Sequence, residues 1–131
     1  MDFQFENHSP VYLQLASILE EEIISGRFVP GQKLPSVREL AAMSRTNPNT
    51  AARAMQELEN RGLIETRRTS GKFVATNAQA LETSRKEAAE KLCRQFLKDM
   101  QSLGCSTEEI FDLLKKGGSY AAEDNRPEKE V

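Results

Sequence analysis

The chain has 131 residues, 38% of them hydrophobic, and a formal net charge of −2. That allows one small domain with an appendage and excludes a large enzyme core. No apolar run approaches the ~20 residues that span a bilayer. Met1-Asp2-Phe3-Gln4-Phe5-Glu6 lacks the charged and apolar regions of a signal peptide, so the protein is expected in the cytoplasm with no membrane partner.

Residues 10–25 predict a first helix with Tyr12, Leu15, Ala16, Leu19 and Ile23 on one face, Glu20, Glu21 and Glu22 mostly outside, and Gly26 as its stop. Arg27-Phe28-Val29-Pro30-Gly31 reads as a turn-rich connector, a structural element and not a site. A second helix starts at Pro35-Ser36-Val37-Arg38-Glu39, where Ser36 caps the start and Glu39, three residues on, completes a capping box. Val37, Leu40 and Ala41 form its apolar stripe, which turns Arg38 outward at the N-terminus, free to meet a phosphate.

Asn47-Pro48 starts a third helix, with Asn47 as N-cap and Pro48 at the first position, where a missing N–H costs nothing. Ala51, Met55 and Leu58 mark its buried side, and Asn49, Thr50 and Arg53 lie within one turn of each other on the other side. In a helix-turn-helix the early residues of the second helix enter the major groove, where Asn and Arg pair with base edges. Past Gly62, residues 63–68 and 72–76 are short β-prone runs around Thr69-Ser70-Gly71. The hairpin tip carries Arg67, Arg68 and Lys72, and Gly71 permits close backbone approach, so it suits lying along a phosphate backbone or dipping into the minor groove. The fold class expected is mainly α with a small β-hairpin wing: a winged helix-turn-helix followed by a two-helix C-terminal dimerisation segment.

These motifs together resemble the DNA-binding domain of the GntR family of bacterial transcription regulators over about the first three fifths of the chain. Leu34-Pro35-Ser36-Val37-Arg38-Glu39-Leu40-Ala41 is similar to the family's helix-two signature. Asn47-Pro48-Asn49-Thr50 with Arg53-Ala54 is similar to its recognition-helix start, and Glu57-Leu58-Glu59 with Gly62-Leu63-Ile64 to its wing entry. The Asn-Pro-Asn-Thr version, the short length and Cys105-Ser106-Thr107-Glu108-Glu109-Ile110 are most similar to the small YtrA-like subfamily. The resemblance implies that Arg38, Asn47, Asn49, Thr50 and Arg53 contact a double-stranded DNA operator, with Arg67, Arg68, Gly71 and Lys72 from the wing. It also implies a short strand at Lys33-Leu34 joining the wing sheet, and repression of the protein's own operon, commonly one encoding ABC transporter components. One departure is that Thr69-Ser70 stand where the family often has a glycine after the basic pair.

Charge distribution accords with this. Residues 33–72 carry eight basic and four acidic side chains, a local balance of +4, whereas the chain from Gln79 onward has nine basic and eleven acidic. In that second part, residues 79–103 predict a long helix on which Ala89, Leu92, Phe96, Met100 and Leu103 recur at near-heptad spacing, ended by Gly104. Ser106 and Glu109 form a second capping box, and Ile110, Phe111, Leu113 and Leu114 make a short helix too apolar on one side to stand alone in water. Packing on the winged domain is one way to cover these residues; a helical homodimer is the expectation favoured by the family resemblance and by the scarcity of other core. Twofold symmetry would make the operator an inverted repeat. The expected organisation is residues 1–78 for the winged domain, 79–117 for the dimerisation segment and 118–131 for a polar, frayed tail.

An enzyme is not expected, because His8 is the only histidine, no Ser or Cys is arranged with a base, and no glycine loop cradles a phosphate. Cys93 and Cys105 lack ligand spacing, so no metal, cofactor or disulfide is expected. An unidentified small-molecule effector could bind between the C-terminal helices of a dimer, but no residue cluster marks a pocket for it. The competing reading is a winged-helix module that binds protein or RNA, since fold alone does not fix function. The joint presence of Arg38, Asn49, Thr50, Arg53 and the wing cluster favours DNA.

Overall fold

A computed structural model of the protein describes the backbone of residues 1–124 and the side chains of residues 1–117. The elements follow the order α1 (Val11–Ile24), α2 (Val37–Ser44), α3 (Pro48–Asn60), β1 (Ile64–Arg67), β2 (Gly71–Val74), α4 (Ala78–Ser102) and α5 (Thr107–Asp124). Two compact units divide within α4, one comprising Met1–Ala88 and the other starting at Ala89.

The first unit holds the core. Leu15, Ala16, Leu19 and Ile23 of α1 meet Leu40 and Ala41 of α2 and Ala51, Ala54, Met55 and Leu58 of α3, with Leu34, Leu63, Ile64 and Val74 closing the cluster from the sheet side. Small residues at 51 and 54 let α3 sit between the other two helices, which it contacts along its length. Phe3, Phe5, Phe28, Val37 and Leu81 pack at the margin of this cluster. Gln14 ties the chain start to α1, accepting from the Glu6 N–H at 2.8 Å and donating to the Glu6 and Ser9 carbonyls.

The starts of α2, α3 and α5 are set by local caps. Ser36 Oγ accepts from the Glu39 N–H at 3.1 Å while Glu39 accepts from the Ser36 N–H at 2.8 Å, the reciprocal box expected from sequence. Asn47 Oδ1 accepts from the Asn49 N–H at 2.7 Å, with Pro48 at the first helical position. Ser106 and Glu109 repeat the box before α5.

The sheet is an antiparallel hairpin with Ile64 opposite Val74 and Arg67 opposite Gly71. The strand implied at Lys33-Leu34 is present as a single bridge from Lys33 to Phe73, supported by Leu34 N–H to the Lys72 carbonyl at 2.8 Å and Gly31 N–H to the Val74 carbonyl at 2.9 Å. The hairpin is therefore anchored on its outer edge.

In the second unit, helix α4 from Ala89 onward buries none of its side chains, and Leu92 and Leu103 are 73% and 78% exposed. Gly104, at φ +86°, ends it as expected. One expectation changes: α5 continues through Gly117-Gly118 to Asp124, past the proposed start of the tail. Each glycine costs a helix about 1 kcal/mol relative to alanine, and the good helix formers Lys115, Lys116, Ala121 and Ala122 flank the pair. The rest of the proposed tail, 125–131, lies outside the described residues. Ile110 also differs from its neighbours, being buried in its own chain at 3% exposure while Phe111, Leu113 and Leu114 stay exposed. Among the described residues no helix is long and apolar enough to cross a membrane.

Candidate nucleic-acid interface

Helices α2 and α3 are joined by three residues, 45–47, which is the short interhelical turn of a helix-turn-helix. Arg45 closes α2 in a left-handed conformation at φ +56° and ψ +42°, and the Thr46 N–H returns to the Ala41 carbonyl at 3.0 Å. Ser44, buried at the end of α2, donates to the Leu40 carbonyl at 2.7 Å and shares a hydrogen bond with Thr46 at 2.9 Å. The turn is thus fixed before any ligand arrives, and it places the N-terminus of α3 in solvent.

On α3, Asn49 and Arg53 are exposed and Thr50 is half-buried, so the outward row is Asn49, Arg53 and Gln56, spaced as one helix face, with Thr50 at its edge. Gln56 was not among the expected contacts. Its spacing from Asn49 and Arg53 could have found it, though it also donates to Asn60 Oδ1 at 3.0 Å. Asn47 spends its Oδ1 on the helix cap, which leaves its amide NH₂ as the group available to a ligand.

Arg53 does not hang free. Its guanidinium lies over the ring of Tyr12 on α1, 3.8 Å from the centroid. Arg38, at the start of α2, is exposed and makes no hydrogen bond or ion pair among the described residues. Its neighbour Glu39 has its carboxyl held below the ordinary range, first by the Ser36 backbone N–H and then by the Ser36 hydroxyl. That keeps a negative charge on the helix N-terminus, where it complements the dipole.

The wing tip is a turn over 67–70 closed by Ser70 N–H to the Arg67 carbonyl at 3.1 Å, with Arg68 and Thr69 at its crest. The departure at Thr69-Ser70 has a simple account: neither residue adopts positive φ, and the conformation that needs glycine falls on Gly71 at +111°. Arg68 is exposed at the crest. Arg67 stacks over Phe73 at 4.0 Å and lies 3.9 Å from Glu65.

Lys72 differs from expectation. Its amine donates to Thr66 Oγ1 on the facing strand at 2.9 Å and pairs with Glu59 of α3 at 3.5 Å, so it is half-buried and bonds the hairpin to the recognition helix instead of standing at the tip. The sequence could not show this, because Glu59 lies in another element. Arg45, exposed in the turn itself, is a further basic side chain that the expected set omits.

Solved regulators share the architecture of this unit, a turn-linked helix pair followed by a hairpin. The family described as "Bacterial regulatory proteins, gntR family" matches residues 11–74. The chain is 37% identical over 115 residues to the uncharacterized HTH-type transcriptional regulator YhcF of Bacillus subtilis (strain 168), covering 88% of this chain and 95% of that protein. This chain belongs to the GntR family. It is also 35% identical to the HTH-type transcriptional repressor YtrA of the same organism, over 82% of this chain and 84% of that one. Among solved structures, a GntR family transcriptional regulator from Listeria monocytogenes superposes with a TM-score of 0.79 at 36% identity, covering 86% of this chain and 98% of its own. This GntR protein is a DNA-binding transcriptional regulator and not an enzyme.

Proposed function

We propose that this GntR protein is a homodimeric repressor that acts in the cytoplasm on its own operon, one encoding transporter components, by binding an inverted-repeat operator. Residues 1–78 form the reading domain, and the helices from residue 79 onward pair two copies. Base edges are addressed by Asn49, Arg53 and Thr50 in the major groove, phosphates by Arg38, Asn47 and Arg68, and the wing backbone approaches DNA at Gly71 beside Arg67.

The observation that carries this reading is the exposed face of the N-terminal half of α3, where the side chains of Asn49 and Arg53 make no hydrogen bond among the described residues. The similarity to a relative named as a repressor supports the sign of regulation. Pairing is supported by Leu92, Phe96, Leu97, Leu103, Phe111, Leu113 and Leu114, all exposed large apolar residues of the second unit. A single chain rarely leaves such a set in water. Covering a half-exposed Leu or Phe contributes about 1 kcal/mol, so two copies gain on the order of 10 kcal/mol gross, comparable to the ~4–15 kcal/mol cost of association.

The test is selection of bound duplexes from a randomised library by the purified protein, with stoichiometry measured by sedimentation. The expected result is an enriched inverted repeat bound by two chains. No enriched sequence, or a single half-site bound by one chain, would overturn it.

A further inference from the structure

The contact between Arg53 and Tyr12 joins the recognition helix to a helix that makes no part of the helix-turn-helix pair. Tyr12 is half-buried on α1, Arg53 is exposed on α3, and the guanidinium carbon sits 3.8 Å from the ring centroid. From this geometry we infer that Tyr12 is a positioning residue for sequence reading: it holds the Arg53 guanidinium in the orientation that meets a base edge. The inference rests on the proposed base-reading role of Arg53.

The chemistry favours a stack that persists on DNA over one that must break. An aromatic ring attracts a guanidinium through its face, whereas pairing with guanine O6 and N7 uses N–H groups in the guanidinium plane. The two interactions use different surfaces of the same group, so the ring costs Arg53 none of its donors. A free arginine samples many rotamers and loses that freedom on binding. An arginine already resting on a ring anchored in α1 loses less, and what it gains falls on the correct base pair more than on a random one. The Tyr12 hydroxyl makes no hydrogen bond among the described residues, so the ring face carries the effect.

The experiment compares the unaltered protein with Tyr12→Phe, Tyr12→Met and Arg53→Ala, and with Tyr12→Met in the Arg53→Ala background. Each is titrated with the duplex enriched by the unaltered protein and with a scrambled duplex. Tyr12→Met is expected to lower the ratio of the two affinities about two- to fivefold, which is ~0.5–1 kcal/mol at 1.4 kcal/mol per tenfold. Tyr12→Phe should retain the ratio, and Tyr12→Met should change nothing further once Arg53 is alanine. An equal loss in both backgrounds would make Tyr12 a packing residue and overturn the inference.

Should Tyr12→Met fail to fold, the Arg53 Cδ protons of the unaltered protein give a second measurement. Their upfield ring-current shift is expected in the free protein and in the complex, and its disappearance on binding would refute a stack that persists. Absence of any sequence preference in the unaltered protein would instead refute the base-reading proposal itself. Preference that depends on Arg53 but not on the Tyr12 ring would refute only the inference.

Discussion

Asn47 sits where fold and proposed binding meet, and substitutions there separate the two. Its Oδ1 accepts the Asn49 N–H at 2.7 Å, which satisfies one of the orphan donors at the start of α3. Alanine removes that acceptor. The site is exposed, so water replaces part of the bond and the cost should be about 1 kcal/mol, in the middle of the range for such caps. For a unit of this size that lowers Tm by roughly 4–8 °C. Aspartate caps a helix as well as asparagine and adds a negative charge at the positive end of the helix dipole, so Asn47→Asp should melt at or slightly above the unaltered protein. Its effect on DNA should be the opposite. With Oδ1 committed to the backbone, only the amide NH₂ can donate to a phosphate, and a carboxylate has no donor and repels one. A hydrogen bond to a charged group is worth ~1.5–3 kcal/mol, so Asn47→Asp should bind about 10- to 100-fold more weakly. Thermal melting and duplex titration at one fixed salt concentration check both halves. If Asn47→Asp melts as low as Asn47→Ala, the capping argument fails; if it binds DNA as well as the unaltered protein, the contact argument fails.

Arg38→Ala and Arg68→Ala should weaken the enriched and scrambled duplexes equally and each lower the salt slope by about 1, measured by titration across salt concentrations; a selective loss would move either residue to base reading. Arg53→Ala and Asn49→Ala should instead lose ~1–3 kcal/mol for the enriched duplex only, seen as a collapse of the affinity ratio. The pH dependence of the second helix follows from Glu39. Because its folded value is lowered, its contribution is present above the ordinary carboxylate value of about 4.3 and is lost as pH falls through the folded value. The stability difference between the unaltered protein and Glu39→Gln should therefore shrink on acidification from pH 6 to pH 3, as read by urea melts at each pH. Phe96→Glu and Leu113→Glu should yield monomers in sedimentation and weaken operator binding together, whereas a monomer of full affinity would refute the twofold arrangement.

The parts of the fold legible in the sequence are those whose physics is local. Ser36 with Glu39, Asn47 with Pro48, and Ser106 with Glu109 each act within three residues, so the caps that start α2, α3 and α5 stand in the sequence as they stand in the structure. Apolar periodicity likewise gives the buried faces of α1 and α3, down to Leu15, Leu19, Met55 and Leu58. The end of α5 was not legible, because the polar composition past residue 117 reads as a tail whereas the backbone stays helical to Asp124. The left-handed Arg45 was also hidden, since a glycine or asparagine is the usual signal for that conformation.

For the candidate site the divide lies elsewhere. Residue types showed which side chains are suited to DNA, but what each one touches in the free protein depends on contacts from other elements. Four arginines with the same charge fall into two kinds. Arg38 and Arg68 are exposed without a bonded partner among the described residues, and a mobile cation suits a phosphate, whose position on the duplex does not depend on sequence. Arg53 and Arg67 rest on Tyr12 and Phe73, and a guanidinium whose plane is already set suits a base edge or a groove wall, where orientation is the information. Lys72 belongs to neither kind, because Glu59 and Thr66 hold it to the hairpin and the recognition helix. Its removal should loosen the wing against α3, so the loss in binding should come with a loss in thermal stability, and the salt slope should fall by less than it does for Arg68. Charge counting along residues 33–72 cannot make these distinctions, since all of them depend on what the tertiary fold puts beside each cation.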